Sequence, residues 1–180
     1  MIKFSQQNNL ISIHTPLGTD TLLLTKFSGE EAISELFKFN LEMHSSKNNI
    51  TFEDIIGKNV TISIVQANKK FRYFNGIINR FSQDSVGIYS DGIKLSTYSA
   101  SMVPWLWLLK DSTNSRIFQD LTIPEIIESI FEEKKLQDYK FALNESYQKR
   151  EYCVQYRETD FQFVSRLLEE EGIFYFFEHK

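Results

Sequence analysis

The sequence is poor in the residues and segments that mark several classes of protein. One cysteine, Cys153, in 180 residues excludes an intramolecular disulfide and any metal site built from several cysteines. Seven glycines leave little material for a glycine-rich phosphate-binding loop. No apolar run approaches the roughly 20 residues of a transmembrane helix, and the first ten residues lack the apolar centre of a signal peptide. The sequence therefore predicts a chain that folds in a reducing compartment and uses no signal peptide.

The charge balance excludes another group of functions. Twenty Lys and Arg against 24 Asp and Glu give a net charge of -4, without the basic excess expected of a nucleic-acid or anionic-membrane binder. With 42% hydrophobic and 14% aromatic residues, the chain can build one sizeable core or two small ones. We therefore expect a folded protein with neither nucleic acid nor a membrane surface as its partner.

Catalytic patterns are also missing. The histidines, His14, His44 and His179, lie far apart, and none belongs to a HExxH pair, so we expect them at the surface or at strand ends. Glu158 and Asp160 could be paired carboxylates, but an acidic residue in the first turn of a helix explains Asp160 more simply. The sequence therefore predicts no catalytic residue, no metal site and no cofactor, and thus a protein that is not an enzyme.

The first half of the chain has the pattern of short strands. Apolar residues recur at every second position, as a half-buried strand requires, in Leu22 to Leu24, Phe37 to Met43, Val60 to Ile64 and Phe71 to Phe81. The connections are too short for crossover helices, so antiparallel pairing into a barrel or sandwich is predicted.

A helix is predicted near 122–134. Thr122 fits an N-cap, Pro124 lies in the first turn, and Glu125 completes a capping box. Before it, Pro104 to Leu109 is too short to be assigned by periodicity. Its two tryptophans favour a buried anchor over an exposed docking site.

A strand and a second helix follow. Alternation predicts a strand from Tyr152 to about Arg157. Thr159 fits the next N-cap, with Gln162 at the partner position, and Gly172 is suited to end the helix. A helix near 160–171 is therefore predicted.

The end of this helix is unusually acidic. Glu169, Glu170 and Glu171 lie where the helix dipole is negative, and Arg166 can reach only some of them. Two explanations remain open: an acidic face in solvent, or a basic surface on another subunit or chain.

The last apolar segment predicts a partner. Ile173 to Phe177 is apolar without alternation, so we expect a strand whose two faces are both covered, by downstream sequence or by another chain. The candidate assembly interface consists of residues from the helix end and this segment: Arg166, Glu169, Glu170, Glu171, Phe174 and Phe176.

Several ordered motifs resemble one family. The segments that carry the resemblance are KFSGEEAISELFKFNLEMHS at 26–45, IIGKNVTI at 55–62, FNGII at 74–78, SRIFQ at 115–119, TIPEII at 122–127, REYCVQYRETD at 150–160 and FVSRLLEEEGIFYFFEH at 163–179. Together they are similar to the N-terminal part of VgrG proteins, the spike of the bacterial type VI secretion system, and to the hubs of contractile phage tails.

The resemblance implies a mainly β fold with α insertions (α+β), built on an antiparallel β-barrel tube domain of phage tail hub type. Residues 1–110 would form the first barrel. Residues 111–180 would form a helical insertion and the start of a second tube region, ahead of an OB-like domain and a β-helical needle.

The resemblance also implies partners and a location. The family forms a homotrimer that caps a tube of Hcp hexamers, carries effectors or adaptors, and contacts the target membrane only through the downstream needle. Assembly would take place in the bacterial cytoplasm, and secretion would be through the type VI apparatus. A contractile phage or prophage tail hub is one alternative, and an effector enzyme or adaptor with an unrecognised site is another.

Overall fold

The computed structural model describes residues 4–88 and 94–180, and its contacts divide the chain into two compact units. The first contains the chain up to Pro104 together with Phe176–Lys180, and the second is Trp105–Tyr175. The chain therefore leaves the first unit once and returns to it at its end. Most regular structure in the described part is antiparallel β-sheet, with few helices, which confirms the predicted fold class.

The first unit is a six-stranded antiparallel sheet. Its strands are β1 (Ile11–His14), β2 (Leu23–Glu30), β3 (Lys38–Ser45), β4 (Asn59–Val65), β5 (Phe71–Ile88) and β6 (Lys94–Val103). They pair in the order β1-β4-β5-β6-β3-β2. The predicted alternating segments overlap β2, β3, β4 and β5, so these strand predictions are confirmed.

The alternation places the core. In β3, Phe39, Leu41 and Met43 are buried, while the residues between them face outward. In β4, Val60 and Ile62 pack into the same core. In these two strands the apolar face is therefore directed inward.

Gln6 joins the two edge strands of this sheet. Its Nε2 donates to the carbonyl oxygens of Ile13, at 2.7 Å, and Leu22, at 3.3 Å. Its Oε1 accepts from the backbone N–H groups of Ile13, at 3.0 Å, and Leu24, at 3.4 Å. The amide thus occupies the place of a peptide group between β1 and β2, and the sheet curls until its edges are bridged.

The second unit combines a strand pair with two α-helices. It begins with a 3-10 helix (Trp105–Lys110) and continues with β7 (Thr113–Leu121), α1 (Ile123–Glu133), β8 (Arg150–Thr159) and α2 (Asp160–Glu170). β7 and β8 pair antiparallel, with Ile117 opposite Val154. In the tryptophan-containing segment, Leu106 and Leu109 are buried and the tryptophans are half-buried. The predicted anchor is therefore supplied mainly by the leucines.

Both predicted α-helices begin and end as expected. Thr122 with Glu125 and Thr159 with Gln162 form capping boxes. Gly172 adopts φ +66°, its N–H donates to the carbonyl of Glu169, and the next N–H donates to Leu168, which is a Schellman motif.

The predicted strand at 173–177 is wrong. Residues 173–180 form neither helix nor strand, and half-buried and exposed positions alternate along them. Phe177 packs against Phe37 with ring centroids 5.1 Å apart, whereas Phe174 and Phe176 are exposed. The segment 173–177 is apolar at every position, but only alternate side chains are partly buried within this chain.

Candidate functional site

Asp160 is a fully buried carboxylate at the start of α2, where the strand pair meets the helix. It accepts hydrogen bonds from Ser112 Oγ at 2.7 Å, Asn114 Nδ2 at 2.9 Å and Gln155 Nε2 at 2.9 Å. Arg116 forms an ion pair with it. The carboxylate is therefore surrounded by donors from β7, from β8 and from Ser112, which directly precedes β7.

Two further contacts connect this cluster to α1. Lys134, which caps the C-terminus of α1, places Nζ 3.3 Å from Oδ2 of Asp160. Arg116 also forms an ion pair with Glu133, in the last turn of α1. One buried carboxylate thus joins the strand pair and both helices of the second unit.

The same neighbours keep Asp160 ionised. Burial alone would raise its pKa, but hydrogen bonds from Gln155, Asn114 and Ser112 and the charge of Arg116 lower the pKa to about 2. A carboxylate with its lone pairs occupied and no exposed surface is not placed to exchange protons with a substrate. Its contacts are those of a structural group, and helix capping alone understated its role.

The other residues of the enzyme hypothesis lie in separate structural contacts. Glu158 accepts from Arg166 at 2.8 and 3.1 Å in the second unit. His179 belongs to the first unit, where its Nδ1 accepts from the backbone N–H of Asn75 at 2.9 Å and its Nε2 lies 3.0 Å from Glu31. Each group therefore has a structural partner of its own.

The position expected for the histidines is wrong for His179. Its side chain is only 9% exposed and packs near Phe37 and Phe74, with ring centroids 5.2 Å away in both cases. His14, at the end of β1, is exposed as expected.

Within residues 4–88 and 94–180, no group of three or more His, Cys, Asp or Glu side chains is arranged to hold a metal ion. No helix in that part of the chain has both the length and the apolar character needed to cross a bilayer.

The acidic end of α2 is neutralised within the chain. Arg150, at the start of β8, donates to Glu170 at 2.7 Å and to Glu171 at 3.0 Å. Arg166 lies 3.4 Å from Glu170 as well, while Glu169 is exposed. The sequence did not reveal Arg150 as the partner because it lies about 20 residues upstream and meets the helix only in the folded unit.

Two predicted interface residues beyond the helix are exposed. Phe174 is 63% and Phe176 is 60% exposed, and half-buried Tyr175 lies between them. Large exposed apolar side chains in a short segment are typical of surfaces that meet other proteins.

The strand pair β7–β8 is unusual in which face it buries. Cys153 and Gln155 point inward, and burial raises the pKa of the Cys153 thiol. The residues that face outward are apolar: Ile117, Tyr152, Val154 and Tyr156. Alternation predicted the strand, but the choice of buried face depends on Asp160, which attracts the polar face of β8.

Comparison with protein families matches residues 30–180 to the phage tail baseplate hub family. The type VI secretion system spike protein VgrG1c of Pseudomonas aeruginosa is 39% identical over 177 residues, 98% of this chain and 24% of that protein. The actin cross-linking toxin VgrG1 of Vibrio cholerae is 34% identical over 173 residues, 91% of this chain and 15% of that protein. The chain thus spans about a quarter or less of the length of these relatives.

A solved structure has the same fold over nearly the whole chain. The E. coli c3393 protein, a component of the type VI secretion system with structural similarity to the T4 tail proteins gp27 and gp5, superimposes with a TM-score of 0.79. The match has 27% sequence identity and covers 94% of this chain and 45% of that one.

Proposed function

Because the chain belongs to the phage tail baseplate hub family, we propose that it is part of the structural hub of a type VI secretion spike. The observation that carries this proposal is the 39% identity to a spike protein over 98% of the chain. The polar clusters support it, because Asp160, Glu158 and His179 are all engaged in contacts that stabilise the fold.

The proposed mechanism is geometric. Three copies form a hub that caps a tube of Hcp hexamers, carries the needle and transmits the force of contraction for effector delivery. In this proposal residues 1–110 supply the first barrel, and residues 111–180 supply the helical insertion and the start of the second tube region. Assembly takes place in the bacterial cytoplasm, and the protein leaves through the apparatus itself.

We also propose that the segment after α2 contributes to assembly. Phe174 and Phe176, which follow α2 in the sequence, offer exposed aromatic surface. The end of α2 contains the other candidate interface residues, Arg166, Glu169, Glu170 and Glu171. Because Arg150 already neutralises two of these acids, the aromatic side chains supply most of the binding energy and the acids provide orientation.

Light scattering and electron microscopy test the hub. The longer protein that contains the downstream regions of the relatives should be a trimer, with a three-lobed ring in images, and should co-purify with the tube protein. A well-behaved monomer would contradict the proposal. Phe174→Asp should leave the fold of the chain intact, because its side chain is exposed, and should weaken the trimer; Glu178→Asp is a matched exposed control.

A contractile phage or prophage tail hub is the nearest alternative, and the family name itself favours it. Neighbouring genes distinguish the two: a tube protein and a recycling ATPase indicate secretion, whereas capsid and tail genes indicate a phage.

An effector enzyme is the alternative from another class, because one relative is named as an actin cross-linking toxin. If it were correct, replacing Glu158, Asp160 and His179 together would abolish a measurable hydrolytic or transfer activity. We expect the unmodified chain to have no such activity.

A further inference from the structure

The last residues of the chain are attached to the first unit through Asn75. β6 pairs with β5 only as far as Ile77, so Asn75 lies beyond the end of that ladder. Its backbone N–H donates to Nδ1 of His179 at 2.9 Å, and its side-chain Oδ1 accepts from the backbone N–H of Lys180 at 2.8 Å. Residues 176–180, which we call the C-terminal strap, therefore continue the hydrogen bonding of β5 where β6 has ended.

The contacts of His179 require one form of its ring. A backbone N–H can only donate, so Nδ1 presents its lone pair to Asn75 and carries no proton. The ring proton is then on Nε2, which donates to the Glu31 carboxylate 3.0 Å away. A neutral histidine therefore holds the C-terminal strap.

Protonation of Nδ1 is incompatible with this arrangement. It would set two N–H donors against each other and leave the N–H of Asn75 without an acceptor. The His179 side chain is also only 9% exposed and lies between Phe37 and Phe74, where a charged ring loses most of its hydration. Geometry and burial thus both favour the neutral ring at this position.

Glu31 acts in the opposite direction, because its carboxylate would attract a charged imidazole. Its other oxygen, however, lies 3.5 Å from the guanidinium of Arg72, on β5, which is stacked over the Phe74 ring at 4.6 Å. Arg72 therefore shares the charge of Glu31 and repels a cation in the same place.

The remaining neighbours add no charge that holds a protonated ring. From β3, Phe37 and Phe39 present aromatic rings to His179. On the strap itself, the side chains of Glu178 and Lys180 pair with each other at 3.2 Å and are exposed. A positive charge on His179 is therefore compensated by Glu31 alone among these groups.

We propose that His179 is a pH-dependent latch for the C-terminal strap. The neutral ring holds the strap on β5. As pH falls through the range in which histidine gains a proton, between about 8 and 5, the charged ring leaves Asn75, and Phe177 loses its contact with Phe37. The inference is independent of the proposed function, because every contact it uses lies within the first unit.

Hydrogen exchange of the longer protein between about pH 8 and 5.5 tests the latch. The matched variant is His179→Gln, whose amide can accept from Asn75 and donate to Glu31 but does not titrate. Comparison at equal pH cancels the intrinsic pH dependence of exchange. At pH 8, exchange at Asn75 should agree within about twofold, and at pH 5.5 it should be at least about fivefold faster in the native protein. Equal or slower exchange at pH 5.5 overturns the inference.

A second measurement needs no substitution and so does not depend on how His179→Gln folds. Ala100, in the middle of β6, pairs with Leu41 and Phe81 and has no histidine partner. In the native protein, the ratio of exchange at Asn75 to exchange at Ala100 should rise at least about fivefold from pH 8 to 5.5. A constant ratio overturns the inference.

Two further variants test the direction of the effect. Glu31→Gln keeps an acceptor for Nε2 but removes the attraction for a charged ring, so the strap should be released at a higher pH than in the native protein. His14→Gln changes an exposed histidine at the end of β1 and should keep the native response. Release at a lower pH in Glu31→Gln, or loss of the response in His14→Gln, contradicts the latch.

Tryptophan fluorescence separates release of the strap from general unfolding. Both tryptophans lie in the second unit, and Asp160 stays ionised over this pH range. The fluorescence should therefore not change between pH 8 and 5.5. A change that accompanies the faster exchange at Asn75 would assign it to unfolding of the chain and overturn the inference.

Discussion

The two units bury their polar groups by different chemistry. In the first unit, a neutral amide, Gln6, bridges the edge strands and accepts and donates as a peptide group would. In the second unit, the ionised carboxylate of Asp160 binds the side chains of Arg116 and Lys134. The Gln6 hydrogen bonds that join β1 and β2 should therefore not depend on pH. The stability of the second unit, by contrast, should depend on Asp160 remaining ionised.

The charge distribution follows the same division. Residues 105–175 contain 14 acidic and nine basic side chains, whereas the rest of the chain contains ten acidic and 11 basic ones. The arginine and lysine side chains that pair with acids should therefore contribute more to stability in the second unit, because they neutralise acids at helix ends and in its interior.

Removing the buried carboxylate should have the largest effect. Asp160→Ala removes the buried negative charge that Arg116 and Lys134 contact. The loss of this charge should lower the free energy of unfolding by about 3–5 kcal/mol. Urea unfolding followed by tryptophan fluorescence measures it, since both tryptophans lie in the second unit. Asp138→Ala, at an exposed position, is the control, and an equal loss in both variants would refute the role of Asp160.

The second-largest effect is expected at Gln6, which joins β1 and β2 in the first unit. Gln6→Ala leaves the backbone groups of Ile13 and Leu24 without their partner, at a cost of about 2–4 kcal/mol. Hydrogen exchange at these two amides should accelerate, while tryptophan fluorescence of the second unit stays unchanged. Gln7→Ala, at an exposed position, should alter neither measurement. Unchanged exchange in Gln6→Ala would show that the contact between β1 and β2 does not depend on this amide.

Acid should reveal the difference between the two units without any substitution, because it removes the contribution of Asp160 to the stability of the second unit. The pKa of Asp160 is lowered from 3.8 to about 2 in the folded chain, so its contribution is complete above about pH 5 and is lost as pH falls through 4 towards 2. A shift of this size corresponds to on the order of 2 kcal/mol. Urea titrations at pH 6, 4 and 3 should show the loss in tryptophan fluorescence, and Asp160→Asn should flatten it. The same slope in that variant would assign it to other carboxylates.

The smallest effect is expected at the end of the chain. His179→Ala removes the acceptor of the Asn75 N–H and the contact with Glu31, costing about 1–2 kcal/mol in the first unit. Hydrogen exchange at Asn75 measures this change. His14→Ala, at an exposed position, is the control, and continued protection of Asn75 in His179→Ala would disprove the contact.

Local signals predicted most elements of the fold. Each capping box, at Thr122 and at Thr159, joins two residues only three positions apart, and Gly172 directly follows the helix that it ends. Such local contacts can be recognised from the sequence alone. Strand alternation worked equally well for β3 and β4, where one face of each strand packs into the core.

The contacts that could not be predicted join distant parts of the chain. Arg150 meets the acids of α2, and Gln6 spans β1 and β2, only after the strands have paired. The exposure of Phe174 was missed for a related reason, because hydrophobicity shows that a side chain favours cover but not which molecule supplies it. For the candidate interface, the sequence thus indicated which residues to consider, but not their contacts or their exposure in the folded chain.

The return of the last residues to the first unit has a consequence for biosynthesis. Phe177 and His179 pack on Phe37 and Asn75, more than 100 positions earlier in the chain. A ribosome must therefore release the whole second unit before the first can acquire its final contacts, although most of its sheet can already have formed. We expect nascent chains that stop near Tyr175 to hold a nearly finished sheet in which Phe37 still lacks its contact with the Phe177 ring.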